Sequence, residues 1–421
     1  MSYNLSNIPK LSELLHNSDR ATIAKSLNLK YNSWKHKNGV NYHILKYEKE
    51  WLSNELVESR GLLRSLIYKD DGSIVCFAPP KSHSTEKFDF ELESDKSYTA
   101  ETFVEGTMIN VFYEKESDSW EIATRSSIGG ESCFFMEAGF KRENTFKFMF
   151  QEACNKVGFQ LENLNKRYIY SFVLQHPRNR IVKIITNERL YLVDVYEVVG
   201  TTVNIIPIKD NFEELGILEK YVKTAERQTL ENKDQLNNCK ELLASMKTRY
   251  DVMGVVVKCS DGKRYKFRNP NYETVKKLRG NNPKLQYQYL VLRQNGKVKD
   301  YLQYYKEHKK AFSEFRNVIH EYTNELFSNY ISCYIKKQKQ LKEFPDKYRT
   351  HMYCLHHDLY LKELMVEKKY VTKDVVISYF NTLHPSKQMF VLNYDVRKNY
   401  LQGEKHALIK SAKLHNSEST V

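Results

Sequence analysis

Five basic residues lie in or beside segments whose β-branched and aromatic residues predict strands: Arg60, Lys81, Arg125, Lys266 and Arg268. Guanidinium groups bind phosphate oxygens through paired hydrogen bonds, and ammonium groups bind them as point charges. Alternate residues of a strand point to the same face, so Lys266 and Arg268 would lie side by side. Each of these residues alone is typical of a solvated surface charge, and together they would form an anion-binding pocket.

A second group of chemically capable side chains, His351, Cys354, His356 and His357, falls within seven residues. Imidazole and thiolate are metal ligands. On a helix His351, Cys354 and His357 would share one face, but the outer two would stand about 9 Å apart along the axis at 1.5 Å rise per residue. No second cysteine pair completes such a set. The segment therefore favours a packed helix face, and we predict no metal site.

The composition indicates a globular protein whose charge is unevenly distributed. The chain has 421 residues, 41% of them hydrophobic and 13% aromatic, and a net charge of +14, which is enough for two or three domains. Residues 251–421 contain 32 Lys and Arg against 17 Asp and Glu, or +15, whereas residues 1–250 carry −1. The basic second half predicts a polyanionic partner, RNA above all, or an acidic viral or other protein partner. A solvated, lysine-rich surface is the alternative.

Cysteine spacing and hydropathy predict the compartment. The seven cysteines show no paired spacing, which argues against a disulfide framework. No apolar run approaches the roughly 18 residues that span a bilayer, and the N-terminus lacks the pattern of a signal peptide. We therefore expect a cytoplasmic location, in a host cytoplasm or virion if the protein is viral, and no membrane partner.

The periodicity predicts an α+β body. Residues 6–35 suggest one or two short helices, with Ser18 or Asp19 as caps. Further helices are predicted over 141–157 and 218–250. Strands are predicted at 61–68, 73–78, 108–113, 120–124, 168–174, 181–185, 190–195, 254–258 and 264–267.

After the last strands the pattern becomes helical. Phe312, Phe315, Ile319, Tyr322, Leu326 and Tyr330 recur at the spacing of one helix face, and helical patterns follow at 347–368, 374–383 and 386–392. We predict an N-terminal helical segment at 1–40, a mixed α/β domain at 41–298, an all-helical C-terminal domain at 299–405 and a flexible tail at 406–421.

From about residue 40 to 275 the chain resembles the bacteriophage-type RNA ligase 1 family of covalent nucleotidyltransferases and its relatives in large DNA viruses. The resemblance rests on Arg60-Gly61, on Glu105-Gly106, on the block His176 to Val182, and on the strand pair Val255–Lys258 and Tyr265–Arg268. It implies that residues 41–298 form a nucleotidyltransferase domain, ATP-grasp-like, with mixed antiparallel sheets. ATP and Mg²⁺ are implied only if the chain is an active ligase.

Departures from the family pattern fall at its catalytic positions. The family's Lys-x-Asp/Glu-Gly motif supplies a lysine that attacks the α-phosphate of ATP, and Phe103 stands at that position here. Two positions that carry metal-orienting carboxylates in the family are Val173 and Met253. The resemblance therefore implies a catalytically degenerate protein. It also implies that the following residues contact phosphate or nucleotide: Arg60, Lys81, Glu105, Arg125, Lys266 and Arg268. The expectation that the basic residues form an anion-binding pocket depends on this resemblance.

One literal motif competes with this interpretation. Lys69-Asp70-Asp71-Gly72 matches Lys-x-Asp-Gly, but it begins nine residues after Arg60, where Asp-Gly is a strong hairpin signal. Three functions are compatible with the sequence. The first is a degenerate RNA-ligase-like protein that binds RNA or nucleotide phosphates. The alternatives are an active ATP-dependent RNA ligase that uses Lys69, and a structural or virion subunit that uses the fold as a scaffold.

Overall fold

The computed structural model describes residues 1–35, 39–85, 96–135, 141–209, 211–217, 220–245 and 247–400. The chain divides into a first unit, Met1–Arg279, and a second unit, Gly280–Val421. The division falls before the predicted boundary at residue 298, because the helix Leu285–Gln294 packs with later helices. The predicted tail at 406–421 lies outside the described residues.

Strands dominate the first unit. In chain order β1 to β15 are Ser2–Asn4, Leu29–Lys35, Asn41–Tyr47, Leu66–Lys69, Ile74–Phe77, Tyr98–Thr102, Thr107–Glu114, Ser119–Ala123, Ile169–Gln175, Arg189–Val199, Thr202–Ile206, Lys223–Thr224, Arg227–Leu230, Gly254–Cys259 and Arg264–Arg268. Its α-helices, α1 to α5, are Leu11–His16, Arg20–Ser26, Phe146–Val157, Lys233–Ala244 and Pro270–Arg279. Asp19 caps α2, as predicted, by accepting a hydrogen bond from the amide of Thr22.

Three sheets arrange these strands. The largest has the order β1-β11-β10-β9-β7-β8, with β12 added against β10. The second, β13-β6-β14-β15, positions the candidate site, and the third is β2-β3-β4-β5. Every ladder between these strands is antiparallel except that of β10 with β12. The predicted mixture of helices and mainly antiparallel sheets is therefore confirmed.

Apolar side chains cover both faces of the largest sheet. One cluster joins this sheet to the third sheet and to the N-terminal helices through residues such as Leu14, Tyr42 and Phe77. The other cluster packs α3 against the opposite side, with Phe150 against Phe172. Strand β9 is buried along its whole length, as expected for a central strand covered on both faces.

Three segments differ from the sequence predictions. Residues 29–35 of the N-terminal segment form β2 instead of helix, and residues 223–230 form β12 and β13 inside a stretch predicted to be helical. Residues 181–185, predicted as a strand, form a loop. Strands β2, β12 and β13 find partners elsewhere in the chain, while the amides of Val182 and Lys183 bind a side-chain carboxylate instead of a neighbouring strand. Tertiary pairing has overridden the local pattern.

All regular structure in the described part of the second unit is helical, as predicted. Its α-helices, α6 to α11, are Leu285–Gln294, Val298–Tyr304, Lys309–Tyr330, Asp346–Tyr353, Lys373–Thr382 and Pro385–Leu392. π-Helical segments, Ile331–Ile335 and Cys354–Leu364, continue α8 and α9. Most of the predicted apolar stripe of α8 is buried, from Phe312 to Tyr330.

The histidine-rich segment of the second unit contributes to packing. His351 shares a 2.8 Å hydrogen bond with the hydroxyl of Tyr379, and His356 stacks on Tyr334 at 3.9 Å between ring centroids. Within the described part of the chain, no helix is both long enough and apolar enough to cross a membrane.

Candidate phosphate-binding site

Phe103 lies immediately after β6 and lines a cavity of about 250 Å³ that we call the central pocket. Val173 from β9 and Met253, just before β14, line the same cavity. The three positions at which the resemblance implies a lost lysine and two lost carboxylates therefore lie around one space. Its charged lining consists of Arg64, Glu101, Glu105, Arg264, Lys266, Arg268 and Lys276.

Two glycines allow the backbone to close around the central pocket. Gly106 has φ +153°, and a Cβ there would lie 2.4 Å from the carbonyl oxygen of Leu174. Gly254 has φ +138°, and a Cβ there would lie 2.1 Å from the carbonyl oxygen of Phe267. Any other residue would force the strands apart. The amide of Phe103 donates to the carbonyl of Gly254 at 2.9 Å, which fixes the segment after β6 against β14.

Glu105 holds the loop that follows β9. Its buried carboxylate accepts hydrogen bonds from the amides of Val182 and Lys183, both at 3.1 Å. Burial raises the pKa of Glu105, although these amide hydrogen bonds oppose the shift. The side-chain amide of Gln175 donates to the Glu105 carbonyl at 2.8 Å, and that of Asn179 donates to the Thr107 hydroxyl at 2.8 Å. The block from His176 to Val182 is thus hydrogen-bonded to the segment that carries Phe103.

Strand β15 presents three cations on one face, because Arg264, Lys266 and Arg268 alternate along it. The Nζ of Lys266 lies 4.9 Å from the centroid of the Phe103 ring. Burial, together with the charges of four neighbouring cations, lowers the pKa of Lys266 to about 6; these cations are Arg264, Arg64, Arg268 and Lys81. Among the described residues no carboxylate lies within ion-pair distance of Lys266.

Arg64 is a site residue that the sequence analysis did not single out. It lies two residues beyond a short 3₁₀ turn, Arg60–Leu62, and lines the central pocket. Burial lowers its pKa. Nothing in the local sequence marks Arg64, because it joins the site only where folding brings the segment before β4 close to Arg264 of β15.

The remaining predicted cations lie outside the central pocket. Lys81 lines a neighbouring cavity of about 490 Å³, the outer pocket, together with Lys240, Lys266 and Arg268. The guanidinium of Arg125 donates to the carbonyl of Tyr47 at 3.0 Å.

Arg60 and Arg125 line neither pocket. The basic surface nevertheless extends toward Arg125. Burial lowers the pKa of Lys49, with further contributions from Arg125, Arg268, Lys276 and Arg64.

Lys69 is the last residue of β4, and its amide donates to the carbonyl of Ser73 at 3.0 Å across the turn to β5, so the predicted hairpin is confirmed. Its ammonium lies 2.6 Å from Glu116 and 3.4 Å from Glu114. Burial disfavours this charge, but the two glutamates outweigh burial and raise the pKa of Lys69. Lys69 does not line the central pocket. A protonated, paired lysine there is a poor candidate for a nucleophile.

The carboxylates of the central pocket already have partners. Glu101 makes ion pairs with Arg227 and Lys258, each at 2.9 Å, and Glu105 holds backbone amides. Mg²⁺ requires several oxygen ligands in near-octahedral geometry. The carboxylates lining this pocket do not fit that requirement, since neither has a free oxygen pair directed into the cavity.

One other group of described residues could approach a metal ion: Glu152, His176 and Glu188, whose ligand atoms lie within 4.8 Å of one another. Arg178 and Lys156 already pair with the two glutamates. The Nδ1 of His176 accepts from the Arg178 amide at 3.1 Å, so the neutral ring carries its proton on Nε2, toward the carboxylates. That tautomer offers a metal no lone pair.

Comparison with known proteins gives only structural similarity. No protein-family model and no curated protein matches the chain. Matching solved structures include archaeal ATP-dependent RNA ligase form 1 (12% identity, TM-score 0.43, 75% of this chain and 83% of that chain) and form 2 (11%, 0.42, 73% and 78%). Another is a putative ATP-dependent DNA ligase from Aquifex aeolicus (14%, 0.34, 91% and 79%). At these identities and TM-scores the similarity assigns neither family nor activity.

Proposed function

We propose that this protein binds the phosphates of RNA or of a nucleotide in the central pocket without forming a lysyl-adenylate. The observation that carries the proposal is the charge imbalance of the pocket. Five basic residues line it, Arg64, Arg264, Lys266, Arg268 and Lys276, against two carboxylates that already have partners. Arg264 pairs with Asp194, and Glu273 lies 3.7 Å from Arg268 and 3.9 Å from Lys276. Arg64 and Lys266 have no ion pair with a carboxylate of the described residues. A partly desolvated excess of positive charge favours a polyanion.

The residues around Phe103 support the absence of adenylate formation. A phenyl ring has no lone pair with which to attack a phosphorus atom, so Phe103 cannot act as the acceptor. Val173 and Met253 line the pocket without any oxygen atom in their side chains. Lys69 is held by two glutamates away from the pocket lining. Binding is therefore separated from catalysis in this proposal.

The second unit supports a nucleic acid as the polyanion. Residues 280–421 contain 24 Lys and Arg against 14 Asp and Glu, or +10. Basic surfaces of this size attract nucleic acid through its backbone. We propose that the helical unit adds phosphate contacts that do not depend on base sequence, while the central pocket provides the enclosed site.

Labelled ATP with Mg²⁺ tests the absence of an adenylate. We expect no covalent label after denaturation. A stable label would contradict the proposal. If that label were then lost in Lys69→Ala, Lys69 would be the nucleophile and the active-ligase alternative would replace it.

RNA binding at several salt concentrations tests the pocket. Each phosphate contact contributes a slope of roughly 0.7 in a plot of log affinity against log salt for single strands. The double variant Lys266→Ala, Arg268→Ala should flatten that slope by about one to two such units and weaken binding to unrelated sequences alike. Lys25→Ala with Lys115→Ala, which removes two basic residues from exposed positions, should leave the slope unchanged. Absence of binding at low salt would favour the scaffold alternative.

A further inference from the structure

Lys266 differs from the other cations of the central pocket in being an amine without a counter-charge. The Nζ faces the ring of Phe103, and Val173 and Met253 add apolar wall to the same cavity. No described carboxylate or carbonyl is placed to bind this nitrogen. An arginine in this position would remain a cation, but a lysine can lose its proton.

Burial and, after it, the surrounding charges determine whether Lys266 is protonated. Arg264, Arg64, Arg268 and Lys81 repel its ammonium, and burial, which is the largest effect, lowers the pKa to about 6. Lys276 adds a further cation to the lining. At neutral pH the folded protein therefore presents Lys266 largely as a free amine, the form in which lysine is a nucleophile.

The carboxyl and hydroxyl groups of the pocket do not reverse this effect. Glu101 is neutralised by Arg227 and Lys258. Glu105 accepts backbone amides and also interacts with the hydroxyl of Tyr272. Arg268 meets Glu273 at 3.7 Å, and Arg64 has no ion pair with a described carboxylate. Arg64 thus remains available for an anion, with Arg268 beside it, while the amine of Lys266 remains available for a carbon electrophile.

We propose that Lys266 captures aldehydes that carry a neighbouring phosphate, forming an imine at its Nζ. The proposal rests on the proposed function, since Arg64 and Arg268 would hold the phosphate. Phosphate bound to these two groups would leave the carbonyl carbon of a short phosphorylated chain facing Lys266. The ring of Phe103 and the apolar wall would limit the access of water to the adduct.

The covalent step needs no metal, oxidant or cofactor. The lone pair of Nζ attacks the carbonyl carbon, a C–N bond forms, and the carbonyl π pair moves to oxygen, which takes a proton from solvent. The nitrogen loses one proton, and the carbinolamine then expels water to leave the imine. One water molecule is released for each imine formed, and no atom is oxidised or reduced.

Two kinds of molecule carry an aldehyde beside a phosphate. One is a free phosphorylated aldehyde, and the other is a nucleic acid with an abasic site, whose sugar aldehyde lies between phosphates. Pyridoxal 5′-phosphate serves as the probe for the first source and an oligonucleotide with one abasic site for the second. Borohydride converts either imine into a stable amine, whose position is read by peptide mass spectrometry. Either probe labelling Lys266 supports the inference, and the one that labels faster identifies the source.

The full-length protein should give one dominant adduct, at Lys266. Lys266→Arg keeps a long basic side chain and removes the amine, so labelling should fall by about tenfold or more relative to wild type, the preference expected for one deprotonated lysine among protonated ones. Lys277→Arg, at an exposed position of α5, should label as wild type does. The rate at Lys266 should level off near pH 7 to 8, whereas exposed lysines continue to gain reactivity toward pH 10.

A second measurement uses the wild-type protein, so its result does not depend on whether the Lys266→Arg variant folds. Inorganic phosphate should slow labelling of Lys266 because it occupies the neighbouring guanidinium groups, and it should not slow labelling of exposed lysines. Labelling spread evenly over surface lysines, or insensitive to phosphate, would overturn the inference. If RNA binding keeps its Lys266- and Arg268-dependent salt slope while no probe labels Lys266, only this inference fails. If that RNA binding is absent as well, the proposed function fails with it.

Discussion

Two charged clusters share strand β15, and they differ in how far the charges of their members are paired. In the paired cluster, Lys258 lies 2.9 Å from Glu101 and 2.7 Å from Asp194, and Asp194 also lies 3.5 Å from buried Arg264. In the phosphate cluster, Lys266 and its neighbours Arg64, Lys81 and Arg268 line the central and outer pockets. Glu273 lies 3.7 Å from Arg268, and Lys266 itself has no ion pair with a described carboxylate. Strand β15 supplies members of both clusters.

The difference lies in where each counter-charge comes from. Asp194 belongs to β10 of the largest sheet, so its ion pairs with Lys258 and Arg264 join two sheets. Two residues further along β15, Lys266 projects into a space where the described chain provides no carboxylate partner. A buried charge needs compensation. Where the chain provides it, the charges hold the fold together, and where it does not, a bound anion can provide it.

The largest effect is expected from breaking the paired cluster. Asp194→Asn would leave Arg264 and part of the charge of Lys258 uncompensated inside the protein, so the free energy of unfolding should fall by about 3–5 kcal/mol. Denaturant titration measures this change. Asp118→Asn, whose carboxylate is 82% exposed and pairs with Lys166, should cost no more than about 1 kcal/mol. An equal loss of free energy of unfolding at the two sites would show that the ion pairs of Asp194 do not stabilise the fold.

An effect of opposite sign is expected in the phosphate cluster. Lys266→Met keeps a similar volume and removes an amine that has to lose its proton when the protein folds at pH 7, so the free energy of unfolding at that pH should rise by about 1–3 kcal/mol. Phosphate binding should weaken in the same variant. A destabilised Lys266→Met protein would mean that Lys266 serves the fold, and the contrast between the two clusters would disappear.

The stabilisation by Lys266→Met should depend on pH. The folded-state pKa of Lys266 is about 6, below its ordinary value, so between pH 6 and about 10.4 the unfolded chain binds a proton that the folded chain has lost. Wild-type stability at this site therefore rises with pH across that interval. The advantage of the methionine should shrink from pH 7 to pH 10. A gap that stays constant would show that the amine is not deprotonated on folding.

The smallest effect is expected from placing a lysine at position 103, where the resemblance implies one. Phe103→Lys alone should give no RNA ligation, because the neighbouring Val173 and Met253 provide no oxygen for a metal, and phosphoryl transfer depends on positioning and charge stabilisation. The triple variant Phe103→Lys, Val173→Glu, Met253→Glu is the matched comparison. Adenylate formation by the single variant would show that the two missing carboxylates are dispensable.

Some elements could be predicted because their pattern is local. The hairpin at Lys69 follows from Asp71-Gly72, and the long helix α8 follows from the apolar spacing that ends at Tyr330. Strand β13 could not be predicted in this way, since the short segment Arg227–Leu230 is a strand only because it pairs with β6. Arg64 likewise has no sequence signal. Its membership of the site depends on contacts between segments far apart in the chain.

The sequence by itself determined the mixed α/β body and the helical second unit. Those features depend on residue type and on short-range periodicity. Only the tertiary structure decided which charges are compensated. Arg264 and Lys266 are both basic residues on one face of the same strand, yet Asp194 forms an ion pair only with Arg264. The electrostatic state of a side chain depends on neighbours brought close by folding, and spacing along the chain does not record them.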